Sequence, residues 1–178
     1  MGLRVINLDT AFGHDLLALR VALKRFGFTA DLIGTESNPR YMRPDAVDVL
    51  EGNVRRELDR AAMGLKENSF DLVTIQNIGD EPDLLMRAAA RLLRPGGLMT
   101  ITFETDDIRG KNRSYLPTRL EFQLKSEWGM QVMRTAVPAD YPDAGRFTFQ
   151  AERSVMLFAI KPLSTTKRQE QTLERQAA

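Results

Sequence analysis

The sequence predicts an α/β fold, in which a seven-stranded, mostly parallel sheet has helices on both faces and ends in a C-terminal antiparallel hairpin. The main observation is the passage from Phe70 to Phe103, where two β-rich segments flank a run with helical periodicity. A crossover of this kind joins two parallel strands. The N-terminus repeats the strand and helix pattern, and two late β-rich segments separated by turn formers predict the hairpin.

The first elements follow from short apolar runs and their periodicity. Val5 to Leu8 favours a strand, and the stretch from His14 to Phe26 predicts a helix that stops at Gly27. Ala30 to Gly34 is the next predicted strand, and Pro39 prevents it from continuing. The apolar residues that give the helix its period are Leu16, Leu17, Leu19, Leu23 and Phe26.

The middle of the chain continues the alternation. A short third strand is predicted around Val47 to Leu50, and an amphipathic helix from Asn53 to Leu65. Phe70 to Gln76 is the fourth strand. After the next helix, Gly96-Gly97 predicts a helix stop and a tight turn into a fifth strand, Leu98 to Phe103. The apolar face of the helix after the third strand comprises Val54, Leu58, Ala61, Ala62 and Leu65.

The last third of the chain predicts a polar loop and the closing hairpin. Thr105 to Ser114 is polar and is expected at the carboxyl edge of the sheet, where loops commonly carry function. A helix is predicted from Leu116 to Trp128, and strands from Gln131 to Val137 and from Val155 to Ile160. We therefore expect one domain over residues 1–163, and a polar, disordered tail over residues 164–178, where apolar residues almost vanish.

Composition limits the classes of function. The net charge of +1 in 178 residues gives no global field for nucleic acid or an anionic membrane. The absence of cysteine excludes disulfides and thiolate chemistry. No charged leader precedes an apolar core at the N-terminus, and no run is apolar enough to span a bilayer, so we expect a cytoplasmic protein without a membrane partner.

The passage written FDLV…RLLRPGGLMTITF resembles the fourth and fifth strands, with their connecting helix, of class I S-adenosylmethionine (SAM) dependent methyltransferases. The resemblance covers roughly residues 4 to 104. It implies a Rossmann-like sheet, SAM as the cofactor, and a transferase that moves a methyl group to an oxygen or nitrogen of an acceptor. In such sheets ligands bind beyond the carboxyl ends of the strands.

The first turn departs from the family pattern. In the family the strand leads into an Asp-hydrophobic-Gly-x-Gly-x-Gly turn, so that the methionine end of the cofactor lies against bare backbone. The corresponding residues here begin with Asn7 in the position of the acid, and Asp9 and Ala11 in the positions of the first two glycines. Only Gly13 is retained. The Asp9 carboxylate either holds the ammonium of the cofactor or repels its carboxylate; alternatively, this is an ordinary turn with Asp9 or Thr10 as a cap.

The resemblance implies further cofactor residues after the second and third strands. Glu36 ends the second strand and suits the two hydroxyls of a ribose, with Ser37 near the adenine. Asn53, after Gly52, suits the adenine amino group, although it equally suits the N-cap of the helix that follows. The implied cofactor-binding set is therefore Asp9, Thr10, Ala11, Gly13, Glu36, Ser37, Asn53 and Asn77.

Asn77 follows the fourth strand, in the position nearest the reacting methyl in the family. Gln76-Asn77-Ile78-Gly79 does not match the Asn/Asp-Pro-Pro-aromatic signature of nucleic-acid amino methyltransferases, which disfavours that substrate class. His14 is the only histidine, and is either a proton acceptor or a capping residue. With no second histidine and no cysteine, a transition-metal site is not expected.

The leading interpretation is a SAM-dependent methyltransferase whose acceptor, a small molecule or a macromolecule, the sequence does not identify. The alternative is a methyltransferase-like subunit that binds or assembles without catalysis, since the glycine turn is altered. Because the sequence begins with its first predicted strand, we expect no N-terminal helices of the kind that cap the substrate pocket in many family members, and a protein partner is a candidate to complete the pocket. A Rossmann oxidoreductase ranks last, because its Gly-x-Gly-x-x-Gly fingerprint is absent.

Overall fold

The computed structural model describes residues 2–9, 14–38, 40, 49–76, 78, 81–103, 116–136 and 155–163. Seven strands and four helices lie in these ranges. The strands are β1 (Leu3–Leu8), β2 (Ala30–Glu36), β3 (Val49–Glu51), β4 (Phe70–Ile75), β5 (Leu93–Phe103), β6 (Gln131–Ala136) and β7 (Val155–Ile160). The helices are α1 (His14–Arg25), α2 (Glu57–Ala62), α3 (Pro82–Leu92) and α4 (Leu116–Ser126).

The seven strands form one sheet in the order β3-β2-β1-β4-β5-β7-β6. The first five strands in this order are parallel to one another, while β7 runs antiparallel to both β5 and β6. This confirms the predicted mixed sheet with a closing hairpin. The strand order reverses at the centre, where β1 lies between β2 and β4. Ligands of open α/β sheets bind at such a switch point, beyond the carboxyl ends of the strands.

The core has two parts that the sheet separates. The larger cluster joins β1, β4, β5, β7, α3 and α4, and includes the fully buried Phe70, Phe103 and Leu157. The smaller cluster packs α1 against the sheet through Val5, Leu16 and Leu32. The predicted α1 face is correct for Leu16 but wrong for Phe26, which follows the helix and is 77% exposed.

Helix α2 is shorter than predicted, and its apolar face is different. It begins at Glu57 rather than Asn53, because residues 53–56 form a turn in which the Asn53 side chain accepts the Arg55 N–H at 3.0 Å. Val54 is fully buried in that turn, whereas Leu58 is 84% exposed. The buried helical residue is Arg60, which donates to the Val54 carbonyl at 2.7 Å.

The predicted glycine turn before the fifth strand is wrong in its position. Helix α3 ends at Leu92, and β5 begins at once with Leu93, so Gly96-Gly97 lies inside the strand. The β4–β5 register shifts there, which is the mark of a bulge. Gly96 has φ of +76°, and a Cβ on Gly97 would meet the Leu93 side chain at 2.7 Å, so both positions require glycine.

Lys161, just after β7, fastens this region to α3. Its Nζ donates to the carbonyls of Ala90 and Leu93, each at 2.7 Å, and to Asn68 Oδ1 at 2.8 Å. The Ala90 carbonyl belongs to the last turn of α3, where no intrahelical donor remains, and Leu93 follows the helix directly. Burial lowers the pKa of Lys161, and the Glu67 carboxylate opposes that shift.

Candidate functional site

The carboxyl ends of β1, β2, β3 and β4 meet at one edge of the sheet, and the described candidate residues lie there. A polar groove of about 560 Å³ opens beside the ends of β2 and β3. Two of the predicted residues, Ser37 and Asn53, line it together with Gly52. Its remaining lining residues are Glu51, Arg56, Asp59 and Ala62.

Glu36 ends β2 as a buried acid. Only 4% of it is exposed, and its Oε1 accepts the Asn38 N–H at 2.7 Å. Its backbone carbonyl accepts the Gly52 N–H at 2.9 Å, which holds the end of β2 against the end of β3. A buried carboxylate needs partners of high hydrogen-bonding capacity. Its position at a strand end, next to Ser37, suits a ligand that presents hydroxyl donors.

Asp9 has a backbone conformation that glycine adopts more readily than other residues. Its φ is +54°, in the left-handed region that glycine occupies without strain. Its N–H approaches Thr35 Oγ1 at 3.4 Å. Its Oδ2 forms an ion pair with Arg55 Nη1 at 2.5 Å. Residue 9 therefore combines a glycine-like backbone conformation with a side chain that pairs with Arg55.

Arg55 connects three strand ends. It reaches from the turn after β3 to Asp9 after β1, and its Nη2 donates to the Ile78 carbonyl after β4 at 3.1 Å. The Arg55 and Asp9 side chains are 8% and 11% exposed. The sequence analysis did not select Arg55, since nothing in the sequence distinguishes it from Arg56, which is exposed. The contact with Asp9, 46 positions away, is visible only in the fold.

Unpartnered polar atoms concentrate at this edge. Among the described residues, six buried side-chain atoms lack a hydrogen-bond partner, and five belong to Asn7, Asp9, Arg55 and Thr74. Asn7 of β1 and Thr74 of β4 are register neighbours, and both amide atoms of Asn7 are unpaired. Each such atom costs about 1–3 kcal/mol when it stays unpaired. Their concentration at a switch point is compatible with a site that binds a polar ligand.

Asn53 is held in place by its own turn. Its N–H donates to Asp59 Oδ2 at 3.0 Å, and its Oδ1 accepts the Arg55 N–H. It is therefore not the N-cap of α2, since Arg56 occupies that position without a side-chain cap. Asn53 lines the same groove as Ser37.

The other predicted site residues lie outside the described ranges. Thr10, Ala11, Gly13 and Asn77 belong to this group, as does the polar stretch from Thr105 to Ser114. His14 is the first residue of α1. In the part of the chain that the structure describes, no group of three acidic, histidine or cysteine side chains is placed to hold a metal ion. Within the same ranges, no helix is long and apolar enough to cross a membrane.

Comparison with known proteins identifies related folds. The model of a family described as a methyltransferase domain matches residues 8–101. No curated protein sequence matches the chain. Solved structures are similar over most of it. The citrinin polyketide synthase CMeT domain has a TM-score of 0.62 and 13% identity, over 92% of this chain and 47% of its own.

Two further structures cover more of their own length. A predicted O-methyltransferase from Agrobacterium tumefaciens has a TM-score of 0.59 and 16% identity, over 91% of this chain and 77% of its own. A variant of the 16S rRNA (adenine(1408)-N(1))-methyltransferase from Catenulisporales acidiphilia, solved with the cosubstrate SAM, has a TM-score of 0.60 and 12% identity, over 90% of this chain and 86% of its own. At these identities the likeness concerns the fold.

Proposed function

The chain belongs to the methyltransferase domain family, and on that premise we propose that it transfers a methyl group from SAM to an oxygen or nitrogen of an acceptor. Bound SAM supplies a methyl group that its sulfonium has already activated. The protein therefore needs only to align the nucleophile, exclude water and accept a proton where one leaves. A site without a conspicuous acid and base pair is compatible with this chemistry.

One observation carries the proposal. Five of the six unpartnered buried polar atoms of the described residues lie at the switch point, at the same edge of the sheet as the buried Glu36. SAM is a polar ligand with ribose hydroxyls, an adenine and a charged amino-acid end. An edge with an anionic acceptor at one strand end and unpaired donors and acceptors at the next fits such a molecule. The residues present therefore fit the cofactor that the family implies.

We assign the cofactor contacts by position along this edge. Glu36 accepts from the ribose hydroxyls, and the groove lined by Ser37 and Asn53 receives the adenine. The turn after β1 lies against the methionine end, and Asn77 is assigned to the neighbourhood of the methyl group. From the turn after β1 the assignment includes Asp9, Thr10, Ala11 and Gly13.

Calorimetric titration with SAM and with S-adenosylhomocysteine (SAH) tests the proposal. We expect both to bind, and Glu36→Gln to weaken binding about 10-fold or more, because a charged acceptor of two hydroxyls becomes a neutral one. Gln retains an oxygen that can accept the Asn38 N–H, so the turn is preserved. Glu57→Gln is the matched control, since Glu57 is exposed on α2. Equal binding by the two variants would refute the Glu36 assignment.

A non-catalytic binding or assembly subunit is the second candidate, and the observation that favours it is Asp9 in the position of a family glycine. A carboxylate there changes both the volume and the charge of the turn. This candidate predicts no binding of SAM or SAH by the folded protein. The acceptor is a separate question, since the similar structures named above include an O-methyltransferase and an rRNA adenine methyltransferase.

A further inference from the structure

We propose that Asp9 and Arg55 together form the subsite for the zwitterionic amino-acid end of the cofactor, in place of the glycines that the first turn lacks. This inference rests on the proposed function. The two side chains already form an ion pair, and each retains one unused polar atom. These are Asp9 Oδ1, an acceptor, and Arg55 Nε, a donor.

The amino-acid end of SAM or SAH offers the complementary groups. Its ammonium donates hydrogen bonds and can use Asp9 Oδ1, while its carboxylate accepts them and can use the Arg55 Nε–H. Asn7, on the adjoining strand, adds an unpaired amide with one acceptor and two donor hydrogens. The subsite has no net charge, as a zwitterion requires, so neither end of the ligand meets an uncompensated like charge.

The position of Arg55 suits this role. Its guanidinium is anchored at both terminal nitrogens, by Asp9 Oδ2 and by the Ile78 carbonyl. Neither Asp9 Oδ1 nor Arg55 Nε is solvent-accessible, so ligand entry requires the Arg55 side chain to shift, which its flexible stem permits.

The test compares two ligands that differ at this end alone. SAH carries the ammonium and carboxylate, whereas 5′-deoxy-5′-methylthioadenosine (MTA) has the same adenosine and thioether without them. We expect the wild-type protein to bind SAH more tightly than MTA. Arg55→Gln should weaken SAH binding about 10- to 100-fold, because a charged hydrogen bond is lost, and leave MTA binding unchanged.

Two further variants complete the design. Asp9→Asn combined with Arg55→Gln replaces the ion pair by a neutral amide pair of similar size, which keeps the experiment informative if the single change unfolds the protein. Arg119→Gln is the matched control, because it breaks an exposed ion pair with Asp83, in which the two side chains are 41% and 51% exposed. We expect the control to keep the wild-type preference for SAH.

A second readout uses the unmodified protein. The ¹H–¹⁵N signal of the Arg55 Nε–H should shift when SAH is added and stay in place with MTA. The inference is overturned if the wild-type protein binds SAH and MTA with equal affinity, or if the variants lower the affinity for both ligands alike. It is also overturned if the Nε–H signal does not shift when SAH is added. If the wild-type protein binds neither SAH nor MTA, the proposed function itself is refuted.

Discussion

At the scale of single residues, the candidate site divides into positions that sequence could identify and positions that it could not. The position of Glu36 at the end of β2 could be predicted, because the apolar run of the second strand ends there. Arg55 could not, because its partner Asp9 is distant in sequence. The left-handed backbone of Asp9 was also hidden, since glycine is the usual signal of φ above zero and aspartate is a much weaker one.

The Asp9–Arg55 pair gives a prediction about stability. Asp9→Gly should relieve about 1–2 kcal/mol of backbone strain, but it leaves a buried guanidinium unpaired, at a cost of about 3–5 kcal/mol. We therefore expect net destabilisation in urea unfolding followed by circular dichroism. Adding Arg55→Met to Asp9→Gly removes the unpaired charge and should recover most of the loss.

The double-mutant cycle quantifies this coupling. The two single changes and the double change should yield an interaction energy of about 2–3 kcal/mol, as expected for a pair in contact within one network. Breaking the exposed Lys125–Glu121 pair on α4 serves as the comparison, with less than about 1 kcal/mol expected. If the Asp9 and Arg55 effects simply add, the ion pair contributes nothing to folding.

At the scale of elements, the junction of α3 and β5 lies at a different position from the one that the sequence predicts. Gly96-Gly97 predicts a helix stop, yet α3 has already ended at Leu92. Lys161 provides a donor for the Ala90 carbonyl in the last helical turn, from a position 71 residues further along the chain. The end of α3 is therefore satisfied in part by a tertiary contact and not by glycine.

Replacing this donor should weaken the junction. Lys161→Met keeps the apolar stem but leaves the carbonyls of Ala90 and Leu93 without their donor, so we expect a loss of about 1–3 kcal/mol in the free energy of unfolding. Thermal and urea unfolding measure it. Lys66→Met is the control, because Lys66 is exposed, and it should change stability by less than about 0.5 kcal/mol. Equal stability of both variants would show that water replaces the Lys161 donor at no cost.

At the scale of the whole molecule, the number of strands and the closing antiparallel hairpin were predictable, because hydrophobic period and turn residues recur along the chain. The boundaries of individual helices and strands were less predictable. The apolar pattern extends α2 back to Asn53, but the polar turn closed by Asn53 and the buried Arg60 override it. The single domain over residues 1–163 stays a prediction, although the described strands already form one sheet from β1 to β7.

That prediction can be tested without any ligand. Leu157 of the hairpin is fully buried in the cluster that also contains Ile6 of β1, so the hairpin and the site strand share one core. Leu157→Ala should cost about 2–5 kcal/mol through the cavity it leaves. If the sheet unfolds as one unit, native-state hydrogen exchange at the Ile6 amide should accelerate by the same free energy.

The control for this experiment is Met133→Ala on β6, where the side chain is 62% exposed and the expected effect stays within about 0.5 kcal/mol. Unchanged exchange at Ile6 in Leu157→Ala would mean that the hairpin opens separately from the parallel strands. In that case β1 to β4, which carry the candidate site, would hold their stability independently of the closing hairpin. If exchange at Ile6 accelerates to match the stability lost in Leu157→Ala, the stability of the strands that carry the candidate site depends on packing in the hairpin.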